Sequence, residues 1–136
     1  MKPIFTLWAL AAWLCAGPAL AQTAPDAADG KTLFAKNCAA CHQADGRGIP
    51  GAFPALAGSA LAIGAPAEAT EVLLKGRGGM PDFSGSLDDA DIAAVLSYVR
   101  ASWGNRAAPV ADAEVGALRT ALQLPPASRN RFGNKH

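Results

Sequence analysis

Cys38-Ala39-Ala40-Cys41-His42 sets two thiols and an imidazole within five positions. Three chemistries use such a set. Structural zinc takes four thiolate or imidazole ligands in a tetrahedron. A redox disulfide takes the two cysteines alone and sits between a strand and a helix. Covalent haem attachment takes all three residues: the thiols reach two vinyl groups on one porphyrin edge, and the next residue turns its imidazole under the iron. The rest of the chain decides among them.

Residues 1–21 read as an export signal, with Lys2 as the positive start, an uncharged stretch from Ile4 to Leu20, and Ala19-Leu20-Ala21 as the small-x-small cleavage site. The mature chain then begins at Gln22, Cys15 leaves with the leader, and Cys38 and Cys41 are the remaining thiols. Export places that pair in an oxidising compartment, where free exposed thiols do not persist unmodified. Zinc lacks ligands: Cys41 and His42 are adjacent and cannot readily face one ion, and His136 is the last residue of a polar tail. The thioredoxin reading lacks its strand, because the motif follows a helical pattern. Haem attachment remains, and it calls for a second axial ligand. Past the leader Met80 is the one methionine, set in Gly-Arg-Gly-Gly-Met80-Pro81, 38 residues after His42. Glycines there let the backbone approach a flat group, and Pro81 stiffens the chain beyond the sulfur. A thioether opposite imidazole gives a saturated iron suited to moving one electron.

Several elements must hold these residues. Ala28–Ala40 reads as a helix containing Gly30, with Leu33, Phe34, Asn37, Cys38 and Cys41 on neighbouring turns. Residues 43–64 form a glycine-rich loop with Phe53, Leu56, Leu61 and Ile63 as apolar anchors, so this loop has something to cover. Pro66–Lys75 has the marks of a short helix: Pro at its start, Glu68 and Glu71 early, Lys75 late and Gly76 as the stop. A second loop, 76–86, carries Met80. Asp89–Trp103 is the clearest helix, with Asp88 as N-cap, Leu87 and Ile92 as a hydrophobic staple, and Gly104 as C-cap. Its stripe is Ile92, Val95, Leu96, Val99 and Trp103. A last helix spans Asp112–Leu124, with Asp112 as cap and Val115, Leu118 and Leu122 on one face. No stretch alternates with period two, so no sheet is expected and the fold class is all-α.

The 136 residues suit one domain plus a leader. Residues 22–116 hold seven basic and eleven acidic side chains, whereas 117–136 hold Arg119, Arg129, Arg131 and Lys135 and no acid. That imbalance is too small for nucleic-acid binding. A core of about 80 residues, much of it glycine-rich loop, also lacks the apolar content to fill itself unaided.

Cys38-x-x-Cys41-His42, Pro54-Ala55-Leu56-Ala57-Gly58, Gly79-Met80-Pro81 and the helix bearing Val95 and Tyr98 together resemble class I monohaem cytochromes c, over residues 27–105. The spelling is nearest to bacterial cytochromes that accept electrons from periplasmic dehydrogenases. This resemblance implies a fold of helices and loops wrapped around one covalently bound haem c. It further implies that the Pro54 carbonyl accepts from the His42 ring, that Leu56 packs on the haem face, and that Gly30 and Phe34 cross the later helix near Val95 and Tyr98. Arg47 and Arg77 could pair with propionates or stay solvated.

The expected organisation is therefore a leader (1–21), a cytochrome domain (22–105) and a C-terminal extension (106–136) made of a helix and a basic tail. The extension either packs on its own domain or docks an acidic partner or anionic lipid. The expected function is periplasmic single-electron transfer from a dehydrogenase toward an oxidase or reductase, not enzymatic catalysis. Alternatives are a haem subunit held by a dehydrogenase, a peroxidase, or a gas-binding protein. Membrane contact would require a retained leader or the basic tail.

Overall fold

A computed structural model of the chain describes residues 27–127; the expected leader, and Arg129, Arg131 and Lys135 of the expected basic tail, lie outside them. Six helices follow one another: α1 (Ala27–Asn37), α2 (Ala39–His42), α3 (Ala60–Ile63), α4 (Pro66–Lys75), α5 (Asp89–Ala101) and α6 (Asp112–Ala121). Among the described residues there is no strand, only isolated bridges between Ile49 and Phe53 and between Arg77 and Met80.

The fold is organised by α5, which buries residues on two sides. Ile92, Ala93 and Leu96 join Ala69 and Leu74 of α4, Val115 of α6, and Leu87 and Val110. Val95 and Val99 join Phe34 of α1 and Ala62 of α3, with Cys38, Leu56 and Trp103 packed at the edge. Leu33 and Leu73 touch both clusters and make them continuous. Helix α1 crosses α5 at Gly30, where any side chain would run into the Ala94 carbonyl oxygen. The close approach explains a glycine that costs about 1 kcal/mol in helix propensity.

Local signals account for most boundaries. Helix α4 has the expected limits, with Pro66 in its first turn and Gly76 at φ +71° as its stop. Asp88 caps α5 by accepting from the Asp91 N–H at 2.9 Å, and Asp91 accepts in return from the Asp88 N–H. Leu87 and Ile92 are both buried, as a staple requires.

Four expectations need correction. The first helix breaks at Cys38 and restarts as α2, beside an Asn37 side chain that donates to the Leu33 carbonyl at 2.9 Å; such back-bonding competes with the regular helical pattern. Helix α5 ends at Ala101 rather than Trp103, and its cap is Ser102 rather than Gly104. There the Ser102 hydroxyl takes the Tyr98 carbonyl and the Asn105 amide takes that of Val99, so side chains replace the next turn. Helix α6 is shorter than expected, and Asp112 is its first residue, not its cap. The N-cap is Ala111, whose N–H donates to Glu114 at 2.8 Å. Ser59 starts a short α3 that the glycine-rich pattern concealed.

The C-terminal helix α6 packs on α4 and α5. Arg119, grouped by sequence with the basic tail, is only 4% exposed. It faces inward and is not available to a partner.

Candidate functional site

The short α2 puts Cys38, Cys41 and His42 on one turn: the His42 and Cys41 N–H groups both donate to the Cys38 carbonyl, at 2.9 and 3.1 Å. His42 is buried, and its Nδ1 lies 2.9 Å from the Pro54 carbonyl oxygen. A carbonyl can only accept, so Nδ1 carries the proton and the Nε2 lone pair is left free to ligate. A ligating histidine is commonly held this way, and the bond both orients the ring and strengthens it as a donor.

The loop after α2 is built to present that carbonyl. Gly48 donates to the His42 carbonyl at 2.9 Å, and Ile49 and Phe53 exchange backbone bonds of 2.9 and 2.8 Å. Gly48 has φ +65°, and a Cβ there would fall 2.6 Å from the Pro54 oxygen. Only glycine admits the Pro54 carbonyl to its place beside His42. Leu56 and Ala57 both donate to the Gly46 carbonyl. From the end of α5, Asn105 donates to the Leu56 carbonyl at 3.1 Å and accepts from the Gly58 N–H at 2.8 Å. The Trp103 indole donates to the Ala44 carbonyl at 3.0 Å and covers Gly46, where it meets Phe34 in a tilted contact and Tyr98 edge to face. Gly48, Trp103 and Asn105 are thus site-building residues that sequence reasoning missed, although the glycine spacing of "DGRGIPG" was a usable signal for the first.

Cys38 and Cys41 form no disulfide with each other, and each is half-buried. Burial, and secondarily the neighbouring Cys41, push the Cys38 thiol up to about 11. A reactive redox cysteine shows the opposite shift. Among the described residues no three His, Cys, Asp or Glu side chains form a group able to hold a metal ion. Among the described residues no strand precedes the motif, whereas a thioredoxin-type centre sits between a strand and a helix.

Met80 stands on the other loop. Gly76 leaves α4 at φ +71°, where a Cβ would lie 2.6 Å from the Met80 carbonyl oxygen. Arg77 and Met80 exchange backbone bonds of 3.2 and 3.0 Å across Gly78 and Gly79, so half-buried Met80 closes a tight turn. The turn is tied to the core where Phe83 donates to the Leu73 carbonyl at 2.8 Å, and Leu73 touches both hydrophobic clusters. Cys38, Cys41, His42, Pro54 and Leu56 thus share one neighbourhood, and Met80 stands on a separate loop. Arg47 is 82% exposed beside Asp45, and Arg77 is exposed; such positions hold little energy in ion pairs.

The residues fit a covalently held haem. His42 offers Nε2 from a fixed tautomer, two thiols adjoin it, and Ile49 and Phe53 of the loop after α2 and Ile63 of α3 each leave 39% of their area exposed.

Known proteins agree. Residues 25–99 match the family model described as cytochrome c oxidase, cbb3-type, subunit III. Cytochrome c-552 of Thermus thermophilus is 37% identical over 145 aligned positions, covering 90% of this chain and 94% of that protein. The cytochrome c subunit of a quinone alcohol dehydrogenase from Gluconacetobacter polyoxogenes is 35% identical over 103 positions, covering 66% of this chain and 22% of that subunit. Among solved structures, cytochrome c6 from the diatom Phaeodactylum tricornutum is 35% identical, with a TM-score of 0.49 over 57% of this chain and 94% of that one. The family match and the near full-length likeness to cytochrome c-552, added to the Cys38–His42 turn, place this chain in the cytochrome c family, an all-α family of electron carriers that bind haem c covalently.

Proposed function

We propose that this cytochrome carries single electrons in the periplasm through a haem held by His42 and Met80, receiving them from a dehydrogenase and passing them toward an oxidase or reductase. When bound, haem c supplies a one-electron couple at its iron. Cys38 and Cys41 would anchor the porphyrin edge by thioethers. His42 presents Nε2, and the Pro54 carbonyl keeps its ring in one tautomer and orientation. Leu56, packed beside Cys38 and Val95, would lie against the ring face. Met80 would supply the thioether, held at the end of a turn that its own backbone closes. If His42 and Met80 both held the iron, the residues' task would be to keep the site dry and unchanging while charge moves.

The single observation that carries this reading is the 2.9 Å contact from His42 Nδ1 to Pro54 O, because it prepares the histidine as a ligand before any metal is considered. Support for the partner classes comes from relatives named as cytochrome subunits of alcohol and gluconate dehydrogenases and of a cbb3-type oxidase. The periplasmic placement rests on residues 1–21, outside the described part of the chain.

The test is a visible spectrum of the purified ferric and ferrous protein, wild type and Met80→Ala. Wild type should show the sulfur-to-iron charge-transfer band, and Met80→Ala should lose it while the colour resists acid-acetone extraction. An unchanged band in Met80→Ala removes Met80 from the ligand set. Rapid cyanide or peroxide binding by the wild-type ferric protein at neutral pH would point to an open iron site and overturn the carrier reading in favour of a peroxidase or gas binder.

A further inference from the structure

Arg119 is the most heavily engaged side chain of the C-terminal helix. Its Nε donates to Asp89 at 2.6 Å, one terminal nitrogen donates to the Ser84 carbonyl at 2.7 Å and to that of Pro125 at 3.3 Å, and the other donates to the Leu87 carbonyl at 3.1 Å. Its side chain is 5% exposed. Ser84 and Leu87 belong to the loop that carries Met80, four and seven residues beyond it. That loop is fixed near α4 by the Arg77–Met80 pair and in its middle by the Phe83–Leu73 bond. Its far end is gripped from outside by Arg119.

Helix α6 is shaped to bring Arg119 there. Gly116 sits inside the helix, where glycine costs about 1 kcal/mol against Ala. A Cβ at that position would lie 3.0 Å from an Asp89 carboxylate oxygen, so the glycine admits Asp89 to the helix face. Leu118, Leu122 and Leu124 pack on the same cluster as Phe83 of the methionine loop. Leu124 donates to the Arg119 carbonyl, and Pro125 receives from its side chain, so the chain after α6 folds back around the same residue.

We propose that Arg119 is a positioning residue for Met80: through Ser84 and Leu87 it makes the C-terminal extension the brace that resists opening of the methionine loop. This rests on Met80 being an axial ligand. A guanidinium is suited to the task because its planar fork reaches several oxygens at once, which an ammonium cannot do from one point. A swing of the whole loop that carried the Met80 sulfur away would draw Ser84 and Leu87 from a buried charge.

The experiment uses the full holoprotein and imidazole as the probe. Imidazole displaces the thioether from ferric iron, and the charge-transfer band reports the displacement. Arg119→Lys keeps the charge and loses the fork; Asp89→Asn loosens the partly exposed anchor and leaves the loop sequence intact. The expected result is that Arg119→Lys lowers the imidazole concentration for half-displacement by at least about tenfold, as loss of one charge-assisted hydrogen bond implies. Asp89→Asn should lower it by less, and both should keep wild-type helix content. A lower thermal midpoint with unchanged imidazole affinity in both variants makes Arg119 merely structural and overturns the proposal. Should Arg119→Lys not fold, Asp89→Asn decides by the same criterion. A wild-type protein without the band, or Met80→Ala retaining it, overturns the ligand reading itself, and that outcome is read without either brace variant.

Discussion

Gly30→Ala is the change for which local and tertiary effects oppose each other most clearly. Considered as a helix residue alone, alanine is better than glycine by about 1 kcal/mol, so the substitution should stabilise α1. The crossing with α5 forbids it. The new methyl would run into the Ala94 carbonyl oxygen and stand 2.9 Å from both the Ala94 carbonyl carbon and the Tyr98 Cβ. Ordinary contact begins near 3.4 Å, so the Tyr98 contact alone opens the crossing by 0.5 Å and the carbonyl requires more. A gap of roughly 0.5–1 Å forfeits a quarter to a half of the dispersion well between facing atoms. The faces that part include Phe34 and Val95, both 2% exposed. Overpacking typically costs about 1–3 kcal/mol, and a backbone obstacle puts this site at the upper end, about 3 kcal/mol. Subtracting the helix gain leaves a net loss of about 2 kcal/mol. The assay is urea unfolding of the holoprotein followed by far-ultraviolet circular dichroism. Because α1 runs into Cys38, the variant should also take up haem less completely during maturation. A Gly30→Ala protein as stable as wild type, or more stable, would refute the crossing geometry.

Two further outcomes test the site and its surroundings. Gly48→Ala places a methyl 2.6 Å from the Pro54 oxygen on a backbone at φ +65°. It should weaken the His42 hydrogen bond and, by leaving a poorer donor on the iron, raise the reduction potential by a few tens of mV, against the 59 mV that marks tenfold for one electron; potentiometry showing no shift in folded protein would contradict the role of that bond. Asp91 is held above the usual carboxylate value by burial first and by the neighbouring Asp88 second. Its folded value exceeds its unfolded one, so the associated stability is present below the unfolded value and is lost as pH rises through the folded one. Asp91→Asn should therefore gain on wild type in urea midpoint as pH rises through the range in which Asp91 ionises, and parallel pH profiles for the two proteins would contradict the assignment.

The sequence by itself determined the chemistry and most of the local structure. Cys38, Cys41 and His42 are bound to one another by spacing within a single turn. The limits of α4 and the start of α5 follow from Pro66, Gly76, Asp88 and Asp91, each acting on backbone groups a few residues away. Such signals are legible because their partners lie within one helical turn. Tertiary structure decided how the site is held. The Pro54 contact with His42 was reachable only through resemblance, and the clamps of Trp103 on Ala44 and Asn105 on Leu56 join residues 59 and 49 positions apart. Whether those groups meet depends on how α1 crosses α5, which no local pattern specifies. Arg119 shows the same limit. In sequence it counts as one positive charge near a basic tail, and charge alone does not say whether a guanidinium meets water or, as here, a carboxylate and three carbonyls beneath a helix.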